Sequence, residues 1–288
     1  MFYQLPATQY HKAAALFAPL QDQGILTAVL AHHRRGKIFV DDLDAPQSAF
    51  VWSPAVWCFL AGKANNDAFN EGVREALFNQ GVTEQPVFIW LWVCASEAWH
   101  TALQSIAELR QPVPSSRLCY CCDVLQINGR EWLPPDFTIQ PINADLRHRA
   151  DVTLPEDVVN WIAEIGTPEQ FDAHSFGFVA LHGRDVAAWC IADGVADGRT
   201  ELGVHTQEQF RRRGLATAVT ARAVEHAFSL GLTEVSWQCD AANTPSIHVA
   251  EKVGFRLRRA YTMLAFLSDA EKHAGWLERL AAEEATVV

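Results

Sequence analysis

Apolar and polar positions divide the chain into short, well-punctuated segments. Between residues 9 and 31 the apolar side chains Ala13, Leu16, Phe17, Leu20, Ile25, Val29 and Leu30 fall at helical spacing, interrupted near Pro19 and Gly24. Gly36–Val40 predicts a strand, and Asp41-Asp42 and Pro46 a turn after it. Ala49–Ser53 and Val56–Leu60 predict a strand pair broken at Pro54. A helix is expected over Gly62–Gln80, with Asp67 as its N-cap after Asn65-Asn66. Val87–Cys94 is continuously apolar, as a strand covered on both faces is. An amphipathic helix over Ser96–Arg110 and a strand over Leu118–Leu125 complete a β-α-β-α order, which predicts an α/β domain.

Trp132-Leu133-Pro134-Pro135 reads as a linker, so the expected division is a domain at 1–133 and another at 134–288. In the second half, Phe137–Pro141 predicts a strand, and Leu154–Ile165 and Pro168–Ala173 predict short helices. Phe176–Leu181, Val186–Ala192 and Thr200–His205 predict three antiparallel strands, since His182-Gly183-Arg184 and Asp197-Gly198 are hairpin signals. A helix from about Arg213 to Leu230, a strand over Glu234–Cys239, a helix over Thr244–Val253, a strand over Phe255–Phe266 and a last helix from Ser268 follow. No internal repeat is visible at the level of residues.

Composition narrows the range of functions. With 288 residues, 49% of them hydrophobic, the chain can bury the cores of two domains. A net charge of −11 argues against nucleic acid as a partner. The longest apolar run, Val87 to Ala95, is too short to span a bilayer, and the N-terminus lacks the pattern of a signal peptide, so no membrane role is expected. Seven cysteines, an odd number without a secretory context, are expected to be reduced in the cytoplasm. Cys119-Tyr120-Cys121-Cys122 lacks a second pair at metal spacing, and no metal is expected. Trp52, Trp57, Trp90, Trp92 and Trp99 are read as core.

The chemistry is concentrated between Glu201 and Ala218. There an apolar strand runs through a short polar loop into Arg211-Arg212-Arg213-Gly214, and a helix opens at Leu215. The first amides of a helix have no intrahelical partner and carry the positive end of its dipole, so such a turn binds anions, a diphosphate among them. Gly214 and the small Ala216 allow close approach, and Thr217 can add a hydroxyl. The spacing matches neither the Gly-x-x-x-x-Gly-Lys phosphate loop nor the Gly-x-Gly-x-x-Gly dinucleotide turn.

Arg211-x-x-Gly214-x-Ala216 resembles the Arg/Gln-x-x-Gly-x-Gly/Ala signature of the GNAT superfamily of N-acetyltransferases. The stretch Asn243 to Phe255 resembles that superfamily's second conserved helix, which ends in a Gly-Phe turn. Together these cover roughly residues 135–270. In the first half, Gly36–Asp41, Pro46-x-x-Ala49 and Phe59-Leu60-Ala61-Gly62 resemble the N-terminal part of a two-part bacterial GNAT family. The resemblance implies a mixed, mostly antiparallel central sheet flanked by helices, preceded by a smaller α/β domain that frames the acceptor pocket. It implies acetyl-CoA as co-substrate, with direct attack by a primary amine of a small molecule or peptide. A non-enzymatic acyl-CoA-binding or regulatory module is the alternative, and the sequence leaves room for a homodimer.

Residue by residue, the resemblance assigns the diphosphate to Arg211, Arg212, Arg213, Gly214, Leu215, Ala216 and Thr217. It assigns the pantetheine arm to Val204, His205 and Thr206, with the Thr206 amide as oxyanion donor, and adds Asn243 and Ser246. Glu201 is the expected general base. His205 is its rival, expected on the opposite face of the strand. The tyrosine that serves as general acid in many family members is replaced by Ala250, and His248 lies on another face of that helix.

Overall fold

The computed structural model describes residues 1–54, 56–78, 87–108 and 110–286. The chain passes twice through one order of elements. The first pass is β1 (Tyr3–Gln4), α1 (His11–Ala14), α2 (Gly24–Leu30), β2 (Lys37–Val40), β3 (Ser48–Trp52), β4 (Trp57–Gly62), α3 (Asp67–Phe78), β5 (Ile89–Cys94), α4 (Ala98–Ile106) and β6 (Val113–Cys122). The second is β7 (Phe137–Pro141), α5 (Ala144–Arg147), α6 (Glu156–Ile165), α7 (Pro168–His174), β8 (Gly177–His182), β9 (Asp185–Ala192), β10 (Arg199–Thr206), α8 (Leu215–Ser229), β11 (Glu234–Asp240), α9 (Thr244–Val253) and β12 (Arg256–Leu267), after which α10 (Ala270–Thr286) follows. A strand, helices, three antiparallel strands, a helix, a parallel strand, a helix and a last strand occur in each pass. The repeat that the residues do not reveal is present in the topology.

Each pass sends the later part of its last strand into the other compact unit. One unit comprises residues 1–21, 36–115 and 262–288, the other 22–35 and 116–261. A single boundary at 133/134 was expected; instead 22–35 and 116–133 group with the later residues, and 262–288 with the earlier ones. In the first unit the strand order is β1-β2-β3-β4-β5-β12, and β12 pairs antiparallel with β5 from Met263↔Val93 to Leu267↔Ile89. In the second it is β6-β11-β10-β9-β8-β7, and β6 pairs antiparallel with β11 from Val235↔Cys122 to Asp240↔Arg117. The pairing β4–β5 in the first unit and β10–β11 in the second are the parallel ones among these strands.

In the first unit α3 and α4 cover the sheet through Phe69, Val73, Trp99 and Leu103, which pack with Phe50, Trp90, Trp92 and Phe266. The rings of Phe2, Phe39, Phe50, Trp92 and Phe266 stack in sequence, with centroids 4.8–5.8 Å apart. Trp52, Trp90, Trp92 and Trp99 are buried there, and Trp57 is half-buried. In the second unit one face of the sheet packs Leu202, Cys190 and Trp237 against Leu215, Val219 and Val224 of α8. The other packs Val179, Trp189 and Ile191 against Val158 and Ile162 of α6.

Local expectations hold closely at β7 and α9, whose bounds match. The predicted helix Gly62–Gln80 appears as α3, starting only at Asp67, and residues 79–80 lie outside the described residues. The predicted linker is in part a turn of 3-10 helix, Gly129–Trp132, with the Asn128 side chain accepting from the Arg130 amide. It packs on α8, where a Cβ at Gly129 would come within 2.9 Å of the Ala221 Cβ.

Candidate active site

Paired residues between β10 and β11 run from Arg199↔Glu234 to Glu201↔Ser236, and among the described residues none follows. Past that point β10 keeps its partner β9 from Leu202↔Ala192 to Thr206↔Ala188, and β11 keeps β6. Glu201 therefore stands where two parallel strands part.

Beyond the fork β10 leads through Phe210 to Gly214, the first residue before α8. Gly214 has φ +84°, and a Cβ there would lie 3.1 Å from the Trp132 carbonyl oxygen. Both the left-handed conformation and the space call for glycine. No side chain caps α8, and its first turn holds no acidic residue, so its leading amides are left for something outside the helix. Arg211, Arg212 and Arg213 are exposed beside it. A cavity of about 780 Å³ opens here. It is lined by every residue expected to bind the co-substrate: Val204, His205, Thr206, Arg211, Arg212, Arg213, Gly214, Leu215, Ala216, Thr217, Asn243 and Ser246. Trp132, Phe210, Pro245, Val249 and Lys252 complete the lining, and the Lys252 ammonium sits 4.0 Å from the centre of the Trp132 ring. Thr206 Oγ1 is buried with no hydrogen-bond partner among the described residues. The Asn243 side chain caps α9 by accepting from the Ser246 amide at 3.2 Å, and Ser246 Oγ accepts from Trp237 Nε1 at 3.0 Å.

Glu201 is not part of that lining. Its side chain is 9% exposed, and its Oε2 accepts from the Gly24 amide at 2.8 Å and from Gln238 Nε2 at 3.1 Å. Gly24 must be small: a Cβ there would fall 2.4 Å from the Glu201 Cβ. Burial pushes the Glu201 carboxyl up to about 7, and the nearby Asp193 adds to the rise; the two donors and Arg117 oppose it. Asp193 anchors the same region. Its amide donates to the Glu201 carbonyl at 2.8 Å, and its Oδ1 accepts from Arg34 at 2.8 Å and from Trp161 Nε1 at 2.9 Å. Burial also holds Asp193 above the usual carboxylate range, against the pull of Arg34.

The expectation that His205 faces away from Glu201 fails. A strand repeats every two residues, so positions four apart share a face. Leu202 and Val204 turn to the α8 side, while the His205 ring stacks on Trp189, on the α6 side, at 4.6 Å. Ala250 is fully buried in the α8-side core, and His248 is exposed. Gln238, Tyr261 and Asp193 were not singled out in the sequence, and Gly24 was named only as a break in helical spacing. Their partners lie far away along the chain, and no local spacing marks them.

A fork between parallel strands beside an uncapped helix start makes a cleft that can receive an anionic co-substrate. The family model described as GNAT acetyltransferase matches residues 14–264, and the chain belongs to that family. It is a GNAT-type N-acetyltransferase. It is similar to an uncharacterised N-acetyltransferase, YdfB, of Bacillus subtilis, being 24% identical over 263 residues, 90% of this chain and 97% of the relative. Its fold is similar to that of a GCN5-related N-acetyltransferase-like protein from Streptococcus suis, with a TM-score of 0.69, 23% identity and coverage of 91% and 99% of the two chains. It is also similar in fold to a tandem GNAT protein from the clavulanic acid biosynthesis pathway, with a TM-score of 0.56, 10% identity and coverage of 93% and 98%.

Proposed function

We propose that this protein moves an acetyl group from acetyl-CoA to a primary amine of a small molecule or peptide by direct attack. The observation that carries the reading is the uncapped start of α8, which opens beside three arginines into the 780 Å³ cavity. The amides from Arg212 to Thr217 hold the diphosphate, and Arg211, Arg212 and Arg213 add positive charge. Val204 to Thr206 pair with the extended pantetheine arm, and Asn243 and Ser246 flank it. The Thr206 hydroxyl, without a partner among the described residues, fits a polar ligand at this place.

Glu201 takes the proton that the amine loses. The amine nitrogen bonds to the thioester carbonyl carbon, the Thr206 amide donates to the developing oxyanion, and the carbon–sulfur bond breaks as the thiolate leaves. A carboxyl raised to about 7 suits a base working near neutral pH. No helix among the described residues is long and apolar enough to cross a membrane. A reducing cytoplasmic setting belongs to the reading.

The test is free-thiol release from acetyl-CoA with a panel of primary amines, amino acids and aminoglycosides. At least one amine is expected to accelerate release and to carry the acetyl group afterwards. Tight binding of acetyl-CoA with no amine-dependent release across a broad panel overturns the reading.

A further inference from the structure

Oε2 of Glu201 is filled. It accepts from the Gly24 amide at 2.8 Å and from Gln238 Nε2 at 3.1 Å, while among the described residues no donor is found for Oε1. A carboxylate oxygen offers about two acceptor directions, so a proton arriving at this carboxylate has Oε1 as its place. The Gln238 amide is itself fixed in one orientation. Its Oε1 accepts from the Tyr261 hydroxyl at 2.5 Å and from Gln23 Nε2 at 3.2 Å. Its Nε2 donates to the Asp22 carbonyl at 3.1 Å as well as to Glu201. Two donors meet the carbonyl end and two acceptors meet the amino end, and a flipped amide would lose its contacts to Gln23, Asp22 and Glu201.

We propose that Gln238, locked by Tyr261, is a positioning residue of the acetyl transfer: together with the Gly24 amide it pins Oε2 of Glu201 and leaves Oε1 as the oxygen that takes the proton from the amine. The inference rests on the reading of Glu201 as base. It adds which oxygen reacts and which side chain holds the carboxylate still. A hydrogen bond donated to a carboxylate favours its charged form, so Gln238 also keeps the base ionised to a lower pH than burial alone would allow. The other groups facing Glu201 are Asp193, which opposes ionisation, and Arg117, which favours it. Cys119 and Tyr261 also face it, both with their protons held on by burial.

The experiment is an infrared pH titration of the intact protein, in which Glu201→Gln identifies the Glu201 carboxyl band. It is run beside the pH profile of kcat/KM with the best amine of the panel. Gln238→Met keeps the length and removes the donor. It should raise the Glu201 midpoint by roughly one pH unit and move the acid limb of the profile by the same amount, with KM for acetyl-CoA unchanged. Tyr261→Phe should shift both in the same direction by less, and it serves alone if Gln238→Met does not fold. Midpoints indistinguishable from the parent's in the folded variants, with Glu201→Gln inactive, overturn the positioning role. Full turnover in Glu201→Gln overturns instead the assignment of the base, and with it the identity of the reacting oxygen.

Discussion

The junctions that follow β4 and β10 hold the same place in the two passes of the chain and are built in opposite ways. After β4 the helix start is closed by the protein itself. The Asn66 side chain accepts from the Phe69 amide and donates to Asp41 and Ser48, and Asp67 opens α3 with a negative charge. After β10 the helix start has no side-chain cap and no acid, and three arginines precede it. The strands differ too: β4 reads Trp-Cys-Phe-Leu-Ala-Gly with no carboxylate, whereas β10 carries Glu201. One junction meets its Phe69 amide with a side chain of its own, as a scaffold element can. The other has no side-chain cap, and on the proposed reading its amides meet the co-substrate. The same topology thus tells little about chemistry until the few residues at the helix start are read.

The sharpest way to break this contrast is Gly214→Asp, which puts a side chain and a negative charge where the amides are open. Acetyl-CoA at about a hundred times its Kd should stabilise the parent by about 2.7 kcal/mol, and the variant should lose most of the resulting rise in Tm. An undiminished rise in the folded variant would mean that the ligand sits elsewhere. Next in size is Glu201→Gln, which keeps the shape and removes the base; turnover should fall roughly 10²-fold or more with acetyl-CoA affinity intact. In the parent, kcat/KM should drop as pH falls through about 7, because the base must be ionised. Stability runs the other way. A carboxyl raised on folding stabilises the folded state below its unfolded pKa, and that contribution is lost as pH rises to about 7. Thermal melts of Glu201→Gln should therefore gain on the parent between pH 5 and 8, by up to about 3 kcal/mol.

Smaller effects test the two helices. Ala250→Tyr restores the residue type that many family members carry, but Ala250 is fully buried. It should cost about 1–3 kcal/mol in denaturant unfolding through overpacking and bring no gain in turnover. Asn66→Ala should cost about 1 kcal/mol by uncapping α3 and leave acetyl-CoA binding unchanged. A measurable loss of binding in Asn66→Ala would erase the division between scaffold and site.

Much of this was legible locally. The bounds of β7 and α9 and the hairpins of β8, β9 and β10 follow from residue types and spacing within a few turns of chain, and twelve of the residues around the cavity were named from the family resemblance. What the sequence hides is partnership over distance. β6 and β12 carry patterns that suit either unit's last position, so nothing in their residues says that each crosses over. The same holds for Gly24 and Gln238, whose meeting at Glu201 depends on residues 22–35 joining the second unit. Glu201 was named as the expected base through the family resemblance, and its burial and raised pKa come from neighbours that no motif contains.

The exchange of last strands has a consequence for how the protein is made. β5 ends at Cys94, yet the strand that pairs with it begins at Arg256. A ribosome delivers the chain from its N-terminus, so the sheet of the first unit keeps an open edge until nearly the whole polypeptide has emerged. Such late, long-range pairing is slow, and an unpaired edge invites association with other nascent chains. Neither half of the coding sequence, cut between the two passes, specifies a complete sheet.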